Sequence, residues 1–97
     1  MNHYLILSVM IDFLALSGFL RHHLLTDVMP FWTRHAVDGK NGGLFTCISD
    51  EGKITSRDKY LWSQTRALWT FSALCRRIEP REEWRAIADG LFAFLAA

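Results

Sequence analysis

In "KYLWSQTRALW", from Lys59 to Trp69, the residues Trp62, Arg66 and Trp69 follow one another at steps of four and three, with Ala73 four further on. On a helix those steps stack side chains along one face. A flat indole covers the C–H face of a pyranose, and a planar guanidinium presents a fork of donors to its oxygens, so the chemistry this spacing permits is sugar binding. Arg66 is also suited to stabilising an oxyanion where charge develops on a carbonyl oxygen. The same spacing serves equally as a core stripe, with Trp62 and Trp69 packed inside and Arg66 paired to a distant carboxylate. The segment has the apolar pattern of a helix meant to be buried, yet carries Gln64 and Arg66 near its middle. A buried guanidinium without a partner is costly, so Arg66 requires either a carboxylate of the protein or a ligand. Spacing alone leaves both readings open.

The helix that carries these residues is expected to be capped by Ser56 or Asp58 and to continue to about Arg77. Asp58 and Lys59 read as a local pair at its start. Leu61, Trp62, Ala67, Leu68, Trp69, Phe71, Ala73, Leu74 and Cys75 cover most of its circumference, which places it inside a larger structure. Before it, "LFTCIS", "DEG" and "KITS" predict a short β-hairpin with a three-residue connection containing Gly52. Such a hairpin is marginal alone and must lie against helices. After it, Pro80 is placed as the first residue of a third helix, with Glu82 and Glu83 near its positive end. Trp84, Ile87, Ala88, Leu91 and Leu95 form one clean stripe there, while Glu82, Glu83 and Asp89 make a solvated face. One helix apolar nearly all round and one with a wet face predict a layered arrangement, the former inner and the latter outer.

A first helix is expected from near Tyr4 into "RHHLL", with Leu5, Val9, Phe13, Leu16, Leu20 and Leu24 on a core-facing side. "YLILSVMIDFLALSGFL" also has the look of a signal-peptide core, with "ALSG" as its cleavage site. Only His3 precedes the run, with no Lys or Arg, and Asp12 interrupts it, which favours an amphipathic helix over a leader or a membrane span. Pro30 is expected to break or kink the chain, with Thr26 or Asp27 capping a continuation that carries Phe31, Trp32 and Ala36. "DGKNGG", Asp38 to Gly43, ends that helix. The chain stops at "FLAA" with no closing polar segment, and reads as the beginning of something longer.

The 97 residues hold one small domain at most. With 51% hydrophobic residues, four Trp and seven Phe, the chain has more aromatic surface than it can cover by itself. A net charge of +1 without a basic stripe argues against nucleic acid. Cys47 and Cys75 form no CxxC pair and are read as reduced, buried thiols of a cytoplasmic protein. The histidines complete no metal signature, since adjacent His22 and His23 would point about 100° apart on a helix. His35 is read as structural. No two carboxylates are placed as a glycosidase pair, and "NGG" lacks the following helix of a phosphate-binding loop.

From Met29 to Leu74 the order of "PFW", Asp38 with "NGGLFTC", "DEG", "DKYLW", the W-x-x-x-R spacing of Trp62 and Arg66, and "ALWTFSAL" resembles the opening of the N-acylglucosamine 2-epimerase family, which includes renin-binding proteins and cellobiose 2-epimerases. The resemblance weakens through "EEWRAIADGLFAFL". It implies an all-α fold: the N-terminal helical hairpins of an (α/α)6 barrel, with a small β-hairpin between the first two helices, residues 1–97 being a truncated part of one barrel domain. It implies a sugar 2-epimerase or isomerase that moves a proton at C2 through an enediolate. Trp62 and Arg66 fall on substrate-contacting positions, and Arg66 on the catalytic one that stabilises the oxyanion. Paired histidines from later hairpins act as base and acid, which suits imidazole near neutral pH. His22, His23 and His35 do not match them, so this chain alone is expected to be inactive.

The implied partner is a small sugar, with no cofactor, metal, nucleic acid or membrane. Which sugar, whether a nucleotide is an effector, and whether a full-length protein forms a homodimer stay open. The alternative is a small helical module that binds a protein partner through exposed aromatics.

Overall fold

The computed structural model describes residues 3–97, with side chains from Asp12 onward. The expected roles of His3, Leu5 and Val9 therefore lie outside the described side chains. The chain divides into two units, Met1–Trp32 and Thr33–Ala97.

The described residues of the first unit are helical. Helix α1 spans His3–His23 and passes through a π-helical turn, Leu24–Val28, into helix α2, Met29–His35. Of the break or kink expected at Pro30, the break does not occur. Proline removes an N–H and crowds the carbonyl four residues back. Immediately before it the turn widens, and the Met29 N–H bonds to the Leu24 carbonyl. A widened turn of this kind lets the helix continue past the ring. Thr26 and Asp27 consequently have no cap to make. The Thr26 hydroxyl donates back to the His22 carbonyl at 2.7 Å, and Asp27 pairs with His23 Nδ1 at 3.0 Å. Phe13, Leu16 and Leu20 of the side expected to face a core are exposed, as are Leu14 and Phe19, while Leu24 is half-buried. Among the described residues, no helix is long and apolar enough to cross a membrane.

The second unit is a two-stranded hairpin followed by a pair of packed helices. Strands β1 (Cys47–Ile48) and β2 (Ile54–Ser56) are antiparallel, with Cys47 opposite Ser56 and Ile48 opposite Ile54 and an irregularity between the two pairs. The strands are shorter than the β-rich stretches predicted, because Leu44 pairs elsewhere, as described below. The turn is closed by Ser49 N–H to Lys53 O at 2.8 Å and Gly52 N–H to Ser49 O at 2.9 Å. Gly52 sits at φ +87° and its missing Cβ would lie 2.5 Å from His35 Nδ1. His35, the last residue of α2, thus packs on this turn.

Helix α3 (Leu61–Ala73) runs into a second π-helical turn, Leu74–Ile78, and helix α4 spans Glu82–Ala96. Neither Ser56 nor Asp58 caps α3. The capping position is Tyr60, extended at φ −90° and ψ 137°, and the Ser56 hydroxyl instead accepts the Asp58 N–H at 3.2 Å. Pro80 precedes α4 rather than opening it. It forces the residue before it, Glu79, to be extended (φ −163°, ψ 143°), and this ends the preceding turn. Glu82 and Glu83 occupy the first turn of α4 as expected.

The stripe predicted on α4 is the side that packs: Trp84 and Leu91 are each 1% exposed, and Ala88 is buried with them. Phe71 and Leu74 of the facing helix, with Ala36, Leu44 and Phe45, complete the core. Each large apolar side chain buried here contributes about 1.5–3 kcal/mol of transfer free energy. The Arg81 guanidinium lies 4.5 Å from the Trp84 ring and also binds Glu79, covering the open edge of that core. Cys47 and Cys75 are free thiols, half-buried rather than fully enclosed.

Candidate functional site

The loop between α2 and β1 positions α3. Asp38 is buried, and its Oδ1 accepts the backbone N–H groups of Lys40 and Asn41 at 3.0 Å each. Its backbone joins the loop from both ends, Asp38 N–H to Gly43 O and Gly42 N–H to Asp38 O, both at 3.1 Å. Gly42 and Gly43 take φ of +84° and +75°, conformations that suit residues without a Cβ. Asp38 Oδ2 then receives Lys59 Nζ in a close ion pair, and the same ammonium donates to Gly42 O at 2.7 Å. The predicted local pairing of Lys59 with Asp58 is thereby corrected: Lys59 binds the loop. Its ammonium also lies 4.7 Å from the Phe45 ring and 5.5 Å from that of Phe94. The hydrogen bond from Lys59, helped by the Asn41 N–H, holds the Asp38 carboxyl down at about 2.

One turn into α3, Gln64 answers half of what its segment raised. It is 1% exposed, its Oε1 accepts the Leu44 N–H at 2.8 Å, and its Nε2 donates to the Leu44 carbonyl at 2.8 Å. The amide side chain satisfies the backbone groups of Leu44 as a strand would, which explains the buried polar residue. Strand β1 is shortened because Leu44 bridges Val37 and the Phe45 N–H bonds to the Ala36 carbonyl at 2.8 Å. Gly43 makes room for it: a Cβ there would stand 2.9 Å from Gln64 Oε1.

Arg66 departs from the premise of a buried charge. The helix is not apolar and buried all round; it buries Gln64 and Phe71 and leaves Leu61, Trp62, Thr65, Arg66 and Trp69 exposed. Arg66 is therefore not a buried charge. It makes no ion pair or hydrogen bond through its guanidinium with any described residue, so no described carboxylate holds it. Trp62 is 69% exposed and Trp69 63%, and neither is core in this chain. With Leu61 and Thr65 they line one open concavity of about 590 Å³. Trp69 lines this hollow with Arg66 rather than packing inside. The Thr65 hydroxyl is taken up by the Leu61 carbonyl at 2.8 Å, which leaves the two indoles and the guanidinium as the groups able to engage a ligand. Ala73, fourth in the predicted stripe, does not line the hollow.

Gln64 and the Lys59–Asp38 link are the positioning residues that spacing did not single out. A lone amide on the side of the helix opposite the tryptophans was the available signal for the first. For the second there was none beyond an acidic residue opening "DGKNGG".

A mostly helical chain that displays an aromatic and cationic face along one helix is the class of protein the geometry defines. The sequence model of the N-acylglucosamine 2-epimerase (GlcNAc 2-epimerase) family matches residues 43–97, and the chain belongs to that family. It is 40% identical over 55 residues to the N-acylglucosamine 2-epimerase of Mus musculus and, over the same length, 40% identical to that of Homo sapiens. It is 34% identical over 71 residues to the cellobiose 2-epimerase of Bacteroides fragilis. These matches cover 57% of this chain for the mammalian relatives and 72% for the bacterial one. The chain spans 13% of the length of the mammalian relatives and 18% of that of the bacterial one.

Proposed function

We propose that this chain is the N-terminal part of a sugar 2-epimerase of the (α/α)6-barrel type, residues 1–97 being one portion of a single barrel domain, and that α3 supplies part of its substrate site. Trp62 stacks on the sugar ring. Arg66 binds a sugar oxygen and stabilises the charge that develops there as the proton at C2 leaves and an enediolate forms. The proton itself is carried by histidines in other parts of the barrel, because His22, His23 and His35 do not stand where the family's pattern needs them. The observation that carries this reading is the unpaired guanidinium of Arg66 held between two exposed indoles in one hollow. An exposed cation gains only about 0.5–1 kcal/mol from a neighbouring indole, whereas a pyranose uses all three groups.

The test is a titration of the chain with N-acetylmannosamine and with cellobiose, following the indole signals by NMR. Saturable shifts confined to Trp62 and Trp69, and lost in Arg66→Ala, are expected, together with no epimerisation of either sugar. Shifts absent for both sugars, or turnover by this chain alone, would overturn the assignment.

A second reading follows from the bare apolar side of α1, where Phe13, Leu14, Leu16, Phe19 and Leu20 are exposed: a helical interaction module. Sedimentation separates the two, since a module that stands alone is a compact monomer, whereas part of a barrel self-associates.

A further inference from the structure

Helix α3 presents its sugar-facing groups on one side and is pinned on the other. At about 100° per residue, Gln64 lies about 200° around the axis from both Trp62 and Arg66. It is the only side chain of α3 that hydrogen-bonds the 38–44 loop among the described residues, and it does so with both ends of its amide on the N–H and carbonyl of Leu44. An apolar residue of equal size would pack there, and would leave two buried backbone groups of Leu44 unsatisfied. Packing of Phe71 and Leu74 also resists rotation of the helix, but through many soft contacts rather than one directional bond. A bidentate amide is more selective, since both bonds hold at one setting only.

We propose that Gln64 is a positioning residue: its double bond to Leu44 fixes the rotational setting of α3 and thereby the direction in which Trp62, Arg66 and Trp69 face. This rests on the carbohydrate reading of that face. The lever arm makes the setting matter. A rotation of about 20° sweeps groups at the helix's outer radius of about 5–6 Å through about 2 Å, and a misplacement of about 1 Å at a reacting group costs about 10²-fold in rate. The opposite wall is fixed as well, because Gly43 abuts both Gln64 and Phe94 with no room for a Cβ.

The experiment uses two variants of the whole 97-residue chain, labelled so that the indole N–H signals resolve. Gln64→Leu removes both bonds. Gln64→Glu is close to isosteric: its protonated carboxyl both accepts from and donates to Leu44, whereas its ionised form loses the donor, and burial raises its pKa into a reachable range. The Asp38 carboxylate on the same loop stays ionised between pH 4.5 and 8, since it ionises at about 2. The expected result has the core Trp84 signal in place throughout. In Gln64→Leu the Trp62 and Trp69 signals are displaced and the sugar-induced shift is weakened at least tenfold. In Gln64→Glu the same two signals are native at about pH 4.5 and displaced at pH 8, a dependence the parent chain lacks. Unchanged Trp62 and Trp69 signals in Gln64→Leu overturn the proposal. So does loss of the Trp84 signal together with theirs in both variants, which would make Gln64 part of the core and nothing more. Displaced signals in a chain whose parent shows no response to sugar would leave the positioning role standing and remove the carbohydrate reading instead.

Discussion

Lys59 reaches back 21 residues to Asp38, and its ammonium joins the carboxylate and the Gly42 carbonyl at once. The pair closes the loop from which the hairpin departs onto Lys59, two residues before α3, and it is largely enclosed. The ion pair and the Gln64 amide are thus two independent ties between residues 38–44 and the start of the helix that carries Trp62 and Arg66.

The ion pair has a pH signature. The Asp38 carboxyl ionises at about 2 in the folded chain, below the ordinary carboxylate value of about 3.9 in an unfolded one. A depressed folded value means that the unfolded state binds the proton more readily, so the stabilisation is complete above about pH 5 and is lost as pH falls through 4 towards 2. Thermal melts between pH 2 and 6 should show a falling Tm over that interval. In Asp38→Asn the dependence should be shallower and the Tm near neutrality lower.

Gly52 meets two constraints that a double substitution separates. Its φ of +87° disfavours any residue with a Cβ, and that Cβ would strike the His35 ring. Gly52→Ala should cost about 1–2 kcal/mol from the backbone conformation alone, and more from the contact. In a His35→Ala background the contact part should vanish and the conformational part remain, as urea unfolding of the four chains would measure. Equal costs in both backgrounds would mean that the ring simply moves aside.

Trp84, 1% exposed, is the centre of the α3–α4 core. Truncation to alanine in such a site costs about 3–5 kcal/mol, a large part of the total stability of a small domain. Trp84→Ala should lose the cooperative unfolding transition seen by circular dichroism, whereas Trp62→Ala, at an exposed position, should keep it.

Which parts of this were legible beforehand follows from where the physics is local. The α4 stripe was readable because Trp84, Ala88 and Leu91 repeat at the helical period and meet one partner helix. The turn at Gly52 was readable because a residue type declares a backbone angle. The common face of Trp62, Arg66 and Trp69 also followed from period alone, but its burial did not. Apolar type was taken as a sign of enclosure, and burial depends on what stands opposite. The caps failed for a different reason. Ser56 and Asp58 were available near the helix start, but Lys59 and Gln64 already tie that start to the 38–44 loop, and a tertiary tie displaces a local one. The continuation past Pro30 was not legible because a π-helical turn, which no residue type announces, absorbs its steric demand.

Arg66 offers the sharpest separation of stability from chemistry. Its guanidinium has no partner among the described residues and its side chain is exposed, so nothing in the fold depends on its charge. Arg66→Ala should therefore change unfolding free energy by no more than about 0.5 kcal/mol, the range of ordinary surface substitutions. In a protein that carries the complete barrel, the same change removes the group proposed to meet the developing oxyanion. Loss of one such donor lowers kcat by about 10²–10³-fold. Arg66→Lys should recover only part of the rate, since an ammonium keeps the charge but not the planar fork. A melting curve and a rate for each variant decide the matter. A variant that loses activity and stability in proportion would make Arg66 a structural residue, and one that loses neither would place the oxyanion contact on another side chain.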